Sequence, residues 1–142
     1  MIEAAVVDAS VAIKWVIGEA GAEAAAKLAG SQLSAPDILL AECGSALWAK
    51  ARRGEITDDE ALSALAALRR APVVLTPAPV LAADALRLAL LIGHPIYDCF
   101  YLALSLQTKA PMVTADRRFA GALARYGELA ARVVLLKDLD PA

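Results

Sequence analysis

Short apolar runs alternate along the chain with longer segments in which apolar residues recur every three or four positions. The short runs have the length of buried strands, which are predicted at 4–7, 32–35, 73–75, 111–114 and 133–136. The longer segments have helical periodicity and predict helices at 21–29, 37–53, 58–70, 79–91, 96–106 and 117–126. Stop and capping signals separate these elements, among them Gly30, Gly54 and the capping-box pattern of Thr57–Glu60.

This alternation of strands and helices predicts a three-layer α/β/α fold with a short parallel sheet of about four to five strands. A chain of 142 residues has the length of one domain, so residues 1–142 are interpreted as a single domain. Ligands of such sheets bind beyond the carboxyl ends of the strands. Asp8 and Asp116 each follow a predicted strand and precede a helix, so both are expected at that edge. Ser10 is expected to cap the helix after Asp8.

Two further acids stand where apolar residues are expected. Asp98 is the only charged residue between Ile96 and Leu106, a helix that follows Pro95 and should be largely buried. Glu42 lies on or beside the apolar face of the helix at 37–53. A first-turn acid gains roughly 0.3–1 kcal/mol from the helix N-terminus, which by itself is a sufficient structural explanation for Asp98.

A second explanation follows if Asp8, Glu42, Asp98 and Asp116 meet at one sheet edge. Carboxylates at about 4 Å repel by roughly 4 kcal/mol per pair at an effective dielectric of about 20, unless cations or protons neutralise them. Because every ligand would be a carboxylate oxygen, the expected cation is Mg²⁺ or Mn²⁺.

Composition narrows the classes of protein that fit. Apolar residues make up 59% of the chain and charged residues 21%, which excludes a disordered protein. The N-terminus lacks the pattern of a secretory signal and no apolar run reaches about 20 residues, so a cytoplasmic location without a membrane span is expected. Cys43 and Cys99 are expected as buried small hydrophobes, and the single histidine, His94, as structural or solvent-facing.

Four groups of residues together resemble the PIN domain, and more narrowly the VapC-type toxin ribonucleases of bacterial toxin–antitoxin pairs. They are Val6–Ser10 followed by Lys14 and Trp15, Pro36 followed by Glu42, Tyr97–Asp98 followed by Tyr101–Leu104, and Thr114–Phe119. The resemblance covers nearly the whole chain. It implies a metal-dependent endoribonuclease whose metal ligands are Asp8, Glu42, Asp98 and Asp116, with Ser10 as an auxiliary hydroxyl. It also implies products with 5′-phosphate and 3′-hydroxyl ends.

The resemblance implies an RNA substrate, a small antitoxin protein as partner and a homodimer. The chain carries a net charge of −2, which becomes +2 when the four candidate acids are left out of the count. The surface that RNA meets is therefore expected to be mildly basic. Candidate phosphate contacts are Arg117 and Arg118, then Arg52 and Arg53 and finally Arg69 and Arg70, although the last two pairs also suit the ends of helices.

Two alternative functions remain on sequence grounds. A receiver-like signalling domain would also place acids at strand ends, but it needs neighbouring acids after the first strand and an acceptor after a middle strand. Here Ala9 follows Asp8 and Thr76 follows the strand at 73–75, so both features are missing. The other alternative is a PIN-like module that binds a partner without catalysis.

Overall fold

The computed structural model describes residues 2–139. Its strands are β1 Ala4–Val7, β2 Gln32–Pro36, β3 Val73–Thr76, β4 Met112–Thr114 and β5 Val133–Leu135. Its helices are α1 Ala9–Ala12, α2 Ala22–Ala26, α3 Leu39–Arg52, α4 Asp58–Arg69, α5 Ala78–Ile92, α6 Ile96–Thr108, α7 Arg117–Ala122 and α8 Gly127–Ala130. Two short 3₁₀ helices span Ile13–Trp15 and Leu136–Asp138. Each predicted strand lies within about one residue of an observed one.

The five strands form one parallel sheet in the order β3-β2-β1-β4-β5. The chain builds outward from β1 to β3 on one side and then returns to place β4 on the other side of β1. Val7 of β1 pairs in register with Val113 of β4. The point where the strand order reverses therefore lies between β1 and β4, where parallel α/β sheets bind their ligands.

Alternating residues of β1 face two different cores. Val6 belongs to the larger cluster, which includes buried residues of α3, α5 and α6 such as Leu39 and Leu102. Ala5 and Val7 belong to the cluster on the other side, which includes residues 25 and 28. Because side chains alternate along a strand, one four-residue strand supports helices on both faces of the sheet. The predicted three-layer α/β/α arrangement is confirmed.

Several predicted helix boundaries differ from the structure. The helix expected at 21–29 is shorter, since Gly21 adopts the left-handed conformation before α2 and turns follow Ala26. The helix expected at 117–126 ends at Ala122 and is followed by α8. The capping box of α4 is present, with reciprocal hydrogen bonds between Thr57 and Glu60.

The buried positions agree with the apolar pattern. Cys43 and Cys99 are free buried thiols, as predicted, and burial raises their pKa values to about 12 and about 11. The inner face of α6, which includes residues 101–105, is almost completely buried. Within residues 2–139, no single helix is long and apolar enough to cross a membrane, although α5 and α6 pass that test together as a pair bent by 115°.

Candidate functional site

Asp8 is the most buried acid of the site. It follows β1 directly, and its carboxyl group is reached by the hydroxyls of Ser10 and Thr114 and by the N–H of Val11. The Ser10 hydroxyl donates to Oδ1 at 2.6 Å and the Val11 N–H donates to the same oxygen at 3.2 Å. Asp8 therefore joins the ends of two neighbouring strands, because Thr114 is the last residue of β4.

The structure corrects the role predicted for Ser10. Asp8, in an extended conformation, caps α1, and the helix begins at Ala9, so Ser10 already lies in the first turn. Its hydroxyl donates to Asp8 and accepts the N–H of Ala115 at 2.9 Å. Ser10 thus connects the candidate site to the loop after β4.

Burial dominates the electrostatics of Asp8. The side chain is only 4% exposed, and loss of hydration raises its pKa from 3.8 to about 6. The hydrogen bonds from Ser10, Thr114 and Val11 lower the pKa, whereas the charge of Asp98 raises it. Near neutral pH, Asp8 is therefore a carboxylate held in an unfavourable environment.

Glu42 lies in the first turn of α3 and receives a hydrogen bond from α6. The Tyr101 hydroxyl donates to Glu42 Oε1 at 2.5 Å, and the Tyr101 side chain is fully buried. Burial raises the pKa of Glu42 and the charge of Asp98 raises it further, although the bond from Tyr101 opposes both effects. Burial also raises the pKa of the Tyr101 hydroxyl, so this group acts as a hydrogen-bond donor.

Asp98 lies in the first turn of α6, and its carboxylate contacts His94. His94 Nε2 is 2.7 Å from Asp98 Oδ2, and the two side chains are 18% and 27% exposed. The imidazole also packs against the ring of Phe119 with a centroid separation of 4.9 Å. Of the two expectations for His94, structural or solvent-facing, the structure agrees with the first, because its imidazole contacts both the Asp98 carboxylate and the Phe119 ring.

Asp116 occupies a different position from the other three acids. It caps α7, and its Oδ1 accepts the N–H groups of Arg118 at 2.9 Å and Phe119 at 3.4 Å. Its own N–H donates to the Thr114 hydroxyl at 3.0 Å, and that hydroxyl donates to Asp8. The backbone N–H of Asp116 therefore links it to the site, whereas one of its carboxylate oxygens is bonded to the N–H groups at the start of α7.

The tertiary structure thus brings Asp8, Glu42 and Asp98 within electrostatic reach of one another, with Asp116 beside them. Among residues 2–139, no group of three or more His, Cys, Asp or Glu side chains is arranged to hold a metal ion. The donor chemistry still fits Mg²⁺ or Mn²⁺, since Mg²⁺ commonly uses one or two protein carboxylates and keeps several waters. A cation would also relieve the repulsion that Asp98 exerts on Asp8 and Glu42.

Sequence reasoning missed three further side chains that contact the acids. Thr114 ends β4, Tyr101 lies three residues after Asp98 on a buried helix, and His94 lies four residues before it. Thr114 had a local signal, because a polar residue that ends an apolar strand lies at the sheet edge. Tyr101 and His94 had none, since Tyr101 contacts Glu42 on another helix and His94 precedes α6.

The candidate RNA-binding arginines differ in whether their side chains already contact other groups of the protein. The guanidinium carbon of Arg52 lies 5.6 Å from the centre of the Trp48 ring, and Arg53 pairs with Glu55 at 2.7 Å. Arg117 and Arg118 are exposed, and neither forms an ion pair within the described part of the chain. The pair that follows Asp116 is therefore the more available one.

Sequence comparison relates the chain to known proteins. The family model of the PIN domain matches residues 5–124. Ribonuclease VapC3 from Pyrobaculum aerophilum is 35% identical to this chain over 120 residues, which cover 81% of this chain and 91% of that protein.

Two solved structures share the fold. The crystal structure of PAE2754 from Pyrobaculum aerophilum superimposes with a TM-score of 0.71 at 22% identity, covering 95% of this chain and 90% of that one. VapC20 of Mycobacterium tuberculosis, a sarcin-ricin loop cleaving toxin, gives a TM-score of 0.64 at 18% identity, with coverage of 83% and 94%. These matches extend the likeness from sequence to the whole α/β/α architecture.

Proposed function

The chain belongs to the PIN domain family, and we propose that it is a metal-dependent endoribonuclease that acts as the toxin of a toxin–antitoxin pair. One observation supports the proposal: Asp8 ends β1 at the carboxyl edge of the parallel sheet, and Asp98, from a distant part of the sequence, lies close enough for its charge to act on both Asp8 and Glu42. Burial is the largest cause of the raised pKa values of Asp8 and Glu42, and the charge of Asp98 adds to it. Carboxylates gathered in this way are typical of sites that hold a divalent cation and act on phosphate esters.

We assign the central metal contacts to Asp8 and Asp98, a metal contact or general-base role to Glu42, and a second-metal or outer position to Asp116. When bound, a divalent cation lowers the pKa of a coordinated water and neutralises charge on the phosphate. The protein supplies orientation: Ser10 and Thr114 fix Asp8, and Tyr101 fixes Glu42. The raised pKa of Glu42 suits proton abstraction.

The partner surfaces belong to the same proposal. Between α3 and α4 lies a groove of about 500 Å³ whose lining includes Trp48 and Leu62, which are 65% and 68% exposed. This groove is a candidate surface for a small antitoxin, because large exposed apolar side chains favour a protein partner. The exposed Leu86 and Leu90 of α5 are candidates for a homodimer contact. We further propose that residues 1–142 form one cytoplasmic nuclease domain.

Removal of divalent metal tests the proposed function. Purified, antitoxin-free protein is expected to cut labelled total RNA with Mg²⁺ or Mn²⁺, to stop in EDTA, and to resume when metal is restored in excess. The readout is the appearance of RNA fragments with 5′-phosphate and 3′-hydroxyl ends. Cutting that persists in EDTA would contradict the metal role. Folded, metal-replete protein that cuts none of a varied set of RNAs would favour the non-catalytic binding module.

His94 is predicted to orient the Asp98 carboxylate for metal binding. Replacing His94 by Leu removes the group that contacts Asp98 Oδ2 and is expected to weaken Mn²⁺ binding by about 10- to 100-fold, the usual cost of losing an outer-shell partner. His94→Gln keeps an N–H donor and is expected to recover part of the affinity. Isothermal titration with Mn²⁺ gives the affinities. Equal affinities for wild type and His94→Leu would show that the contact does not position Asp98.

A further inference from the structure

A cavity of about 290 Å³ lies beside the candidate active site, between residues 20–24, 115–117 and 135–137. Its lining contains three cationic side chains, those of Lys14, Arg117 and Lys137. The remaining lining residues are small or aliphatic, and none of those within residues 2–139 is acidic. Because the whole chain has a net charge of −2, this cavity is a local concentration of positive charge rather than part of a basic surface.

The cavity adjoins the acids directly. Ala115 lines it, and the Ala115 N–H donates to Ser10, whose hydroxyl donates to Asp8. Arg117, on another wall, follows Asp116 in the sequence. A strand of nucleic acid that reaches the acids from this side would therefore pass over the three cations.

Lys14 is held in place before any ligand arrives. Its Nζ donates to the carbonyl of Ala20 at 2.8 Å and to Glu19 at 3.3 Å. Its side-chain carbons pass so close to Gly21 that a Cβ there would lie 3.2 Å from them. A cation fixed in this way loses little conformational freedom when it binds an anion.

Glu19 does not cancel the charge of Lys14, because a second lysine shares it. Lys50 Nζ lies 2.6 Å from Glu19 Oε2, so the group of two lysines and one glutamate carries a net positive charge. An ammonium group has three N–H donors, and two of those of Lys14 have partners within residues 2–139. One donor therefore remains for a ligand.

Arg117 and Lys137 are the other two cations that line the cavity. Both are exposed, and neither forms an ion pair in the region from residue 2 to residue 139. Their side chains can therefore turn toward an anion without breaking an existing ion pair. One fixed lysine and two cations without ion pairs, lining the same cavity, have the charge that suits a phosphate group.

We propose that this cavity is a phosphate subsite that binds the backbone of the RNA strand next to the bond being cut. The inference rests on the proposed ribonuclease function. Lys14 supplies the fixed contact, and Arg117 and Lys137 close on the phosphate from the solvent side. Since a phosphate carries no base information, the subsite sets the path of the strand and contributes equally for every RNA sequence.

Two measurements on the full chain test the subsite. Fluorescence anisotropy with labelled single-stranded RNA in EDTA gives affinity without metal-dependent cutting, and single-turnover cleavage with Mn²⁺ gives the half-saturating protein concentration and the maximal rate separately. Arg117→Gln and Lys137→Gln are each expected to weaken RNA binding about 3- to 10-fold, with little change in maximal rate. Each should also reduce the slope of log affinity against log salt by about 0.7.

The matched control is Arg87→Gln, which removes the same charge from an exposed side chain of α5 that is 75% exposed and paired with Asp84. If wild type cuts RNA, and Arg117→Gln and Lys137→Gln bind RNA as Arg87→Gln does, the subsite is overturned and the nuclease function stands. Wild type that neither binds nor cuts RNA would overturn both. Weaker RNA binding in the two variants, without cutting by wild type, would support the subsite and contradict the nuclease.

Inorganic phosphate, titrated alone, separates RNA from a free anion as the occupant. Competition between phosphate and RNA in wild type, reduced in Lys137→Gln, is expected if both occupy the cavity. If Lys137→Gln binds phosphate more weakly than wild type but binds RNA equally well, the cavity is a site for a free anion and the RNA assignment is overturned.

Discussion

Replacing Asp98 by Asn is expected to lower RNA cleavage by about 10²- to 10³-fold, the typical loss when one group that stabilises transition-state charge is removed. The substitution keeps the shape of the side chain and an acceptor for His94, but it removes the negative charge that acts on Asp8 and Glu42. Asp8→Asn is expected to have an effect of the same size. Single-turnover cleavage of labelled RNA with Mn²⁺ measures both variants.

The control for these variants is Asp84→Asn. Asp84 is 69% exposed and pairs with Arg87 on α5, so this change has the same chemistry outside the site and should leave cleavage unchanged. Circular dichroism and thermal unfolding of each variant show whether the fold is kept. Folded Asp98→Asn and Asp8→Asn proteins that cut RNA as fast as Asp84→Asn would remove the carboxylate site from the mechanism.

The metal-free protein is expected to lose stability as the pH rises from about 4 to above 6, and Asp8 is expected to cause much of that loss. In the unfolded chain Asp8 ionises near 3.8, whereas in the folded protein its pKa is about 6. Between these values the folded state binds more protons, so the free energy of unfolding falls with increasing pH. The difference between the two pKa values corresponds to roughly 3 kcal/mol in the free energy of unfolding. This amount is fully lost once Asp8 is ionised in both the folded and the unfolded state.

Urea unfolding in EDTA at pH 4, 6 and 8 measures this effect. The free energy of unfolding of Asp8→Asn, minus that of wild type, should increase by roughly 3 kcal/mol across the range. Glu42, whose pKa is also raised, causes a smaller fall in the free energy of unfolding with increasing pH, and it does so in both proteins. Glu19, whose pKa is lowered from 4.5 by Lys50 and Lys14 against its partial burial, has an effect of the opposite sign, and its stabilisation is lost in both proteins as the pH falls below that value. Parallel curves for Asp8→Asn and wild type would show that Asp8 is not destabilised by burial.

The strands and the acids at their ends were predictable because local pattern and topology determine them. The apolar run before Asp8 predicts a buried strand, and parallel strands bring their carboxyl ends to one edge. The position of Asp8 at this edge follows from that argument, whereas Glu42 and Asp98 lie on helices and their approach to the edge was only a hypothesis. Their roles as metal ligands and the convergence of Asp116 stay predictions, since Asp116 gives one oxygen to the N–H groups of α7.

The contacts around the acids were less accessible to sequence reasoning. Glu42 and Tyr101 are separated by 59 positions, and Asp8 and Thr114 by 106. No local rule specifies which hydroxyl reaches a carboxylate across such distances. The Ser10 prediction failed for a different reason, because Asp8, two residues earlier, can also cap a helix, and α1 begins directly after it.

The sequence by itself determined the alternation of strands and helices, the burial of much of α6, and the candidate acids, of which Asp8 and Asp116 follow strands and Glu42 and Asp98 stand where apolar residues are expected. These features depend on hydrophobic periodicity and on the cost of removing a carboxylate from water, both of which can be read locally. Only the tertiary structure decided that His94 faces Asp98, that Asp8 lies beneath two hydroxyls, and that Lys14, Arg117 and Lys137 share a cavity. Those relations arise from packing between segments distant in the chain, where direction and distance, rather than spacing, decide which groups meet.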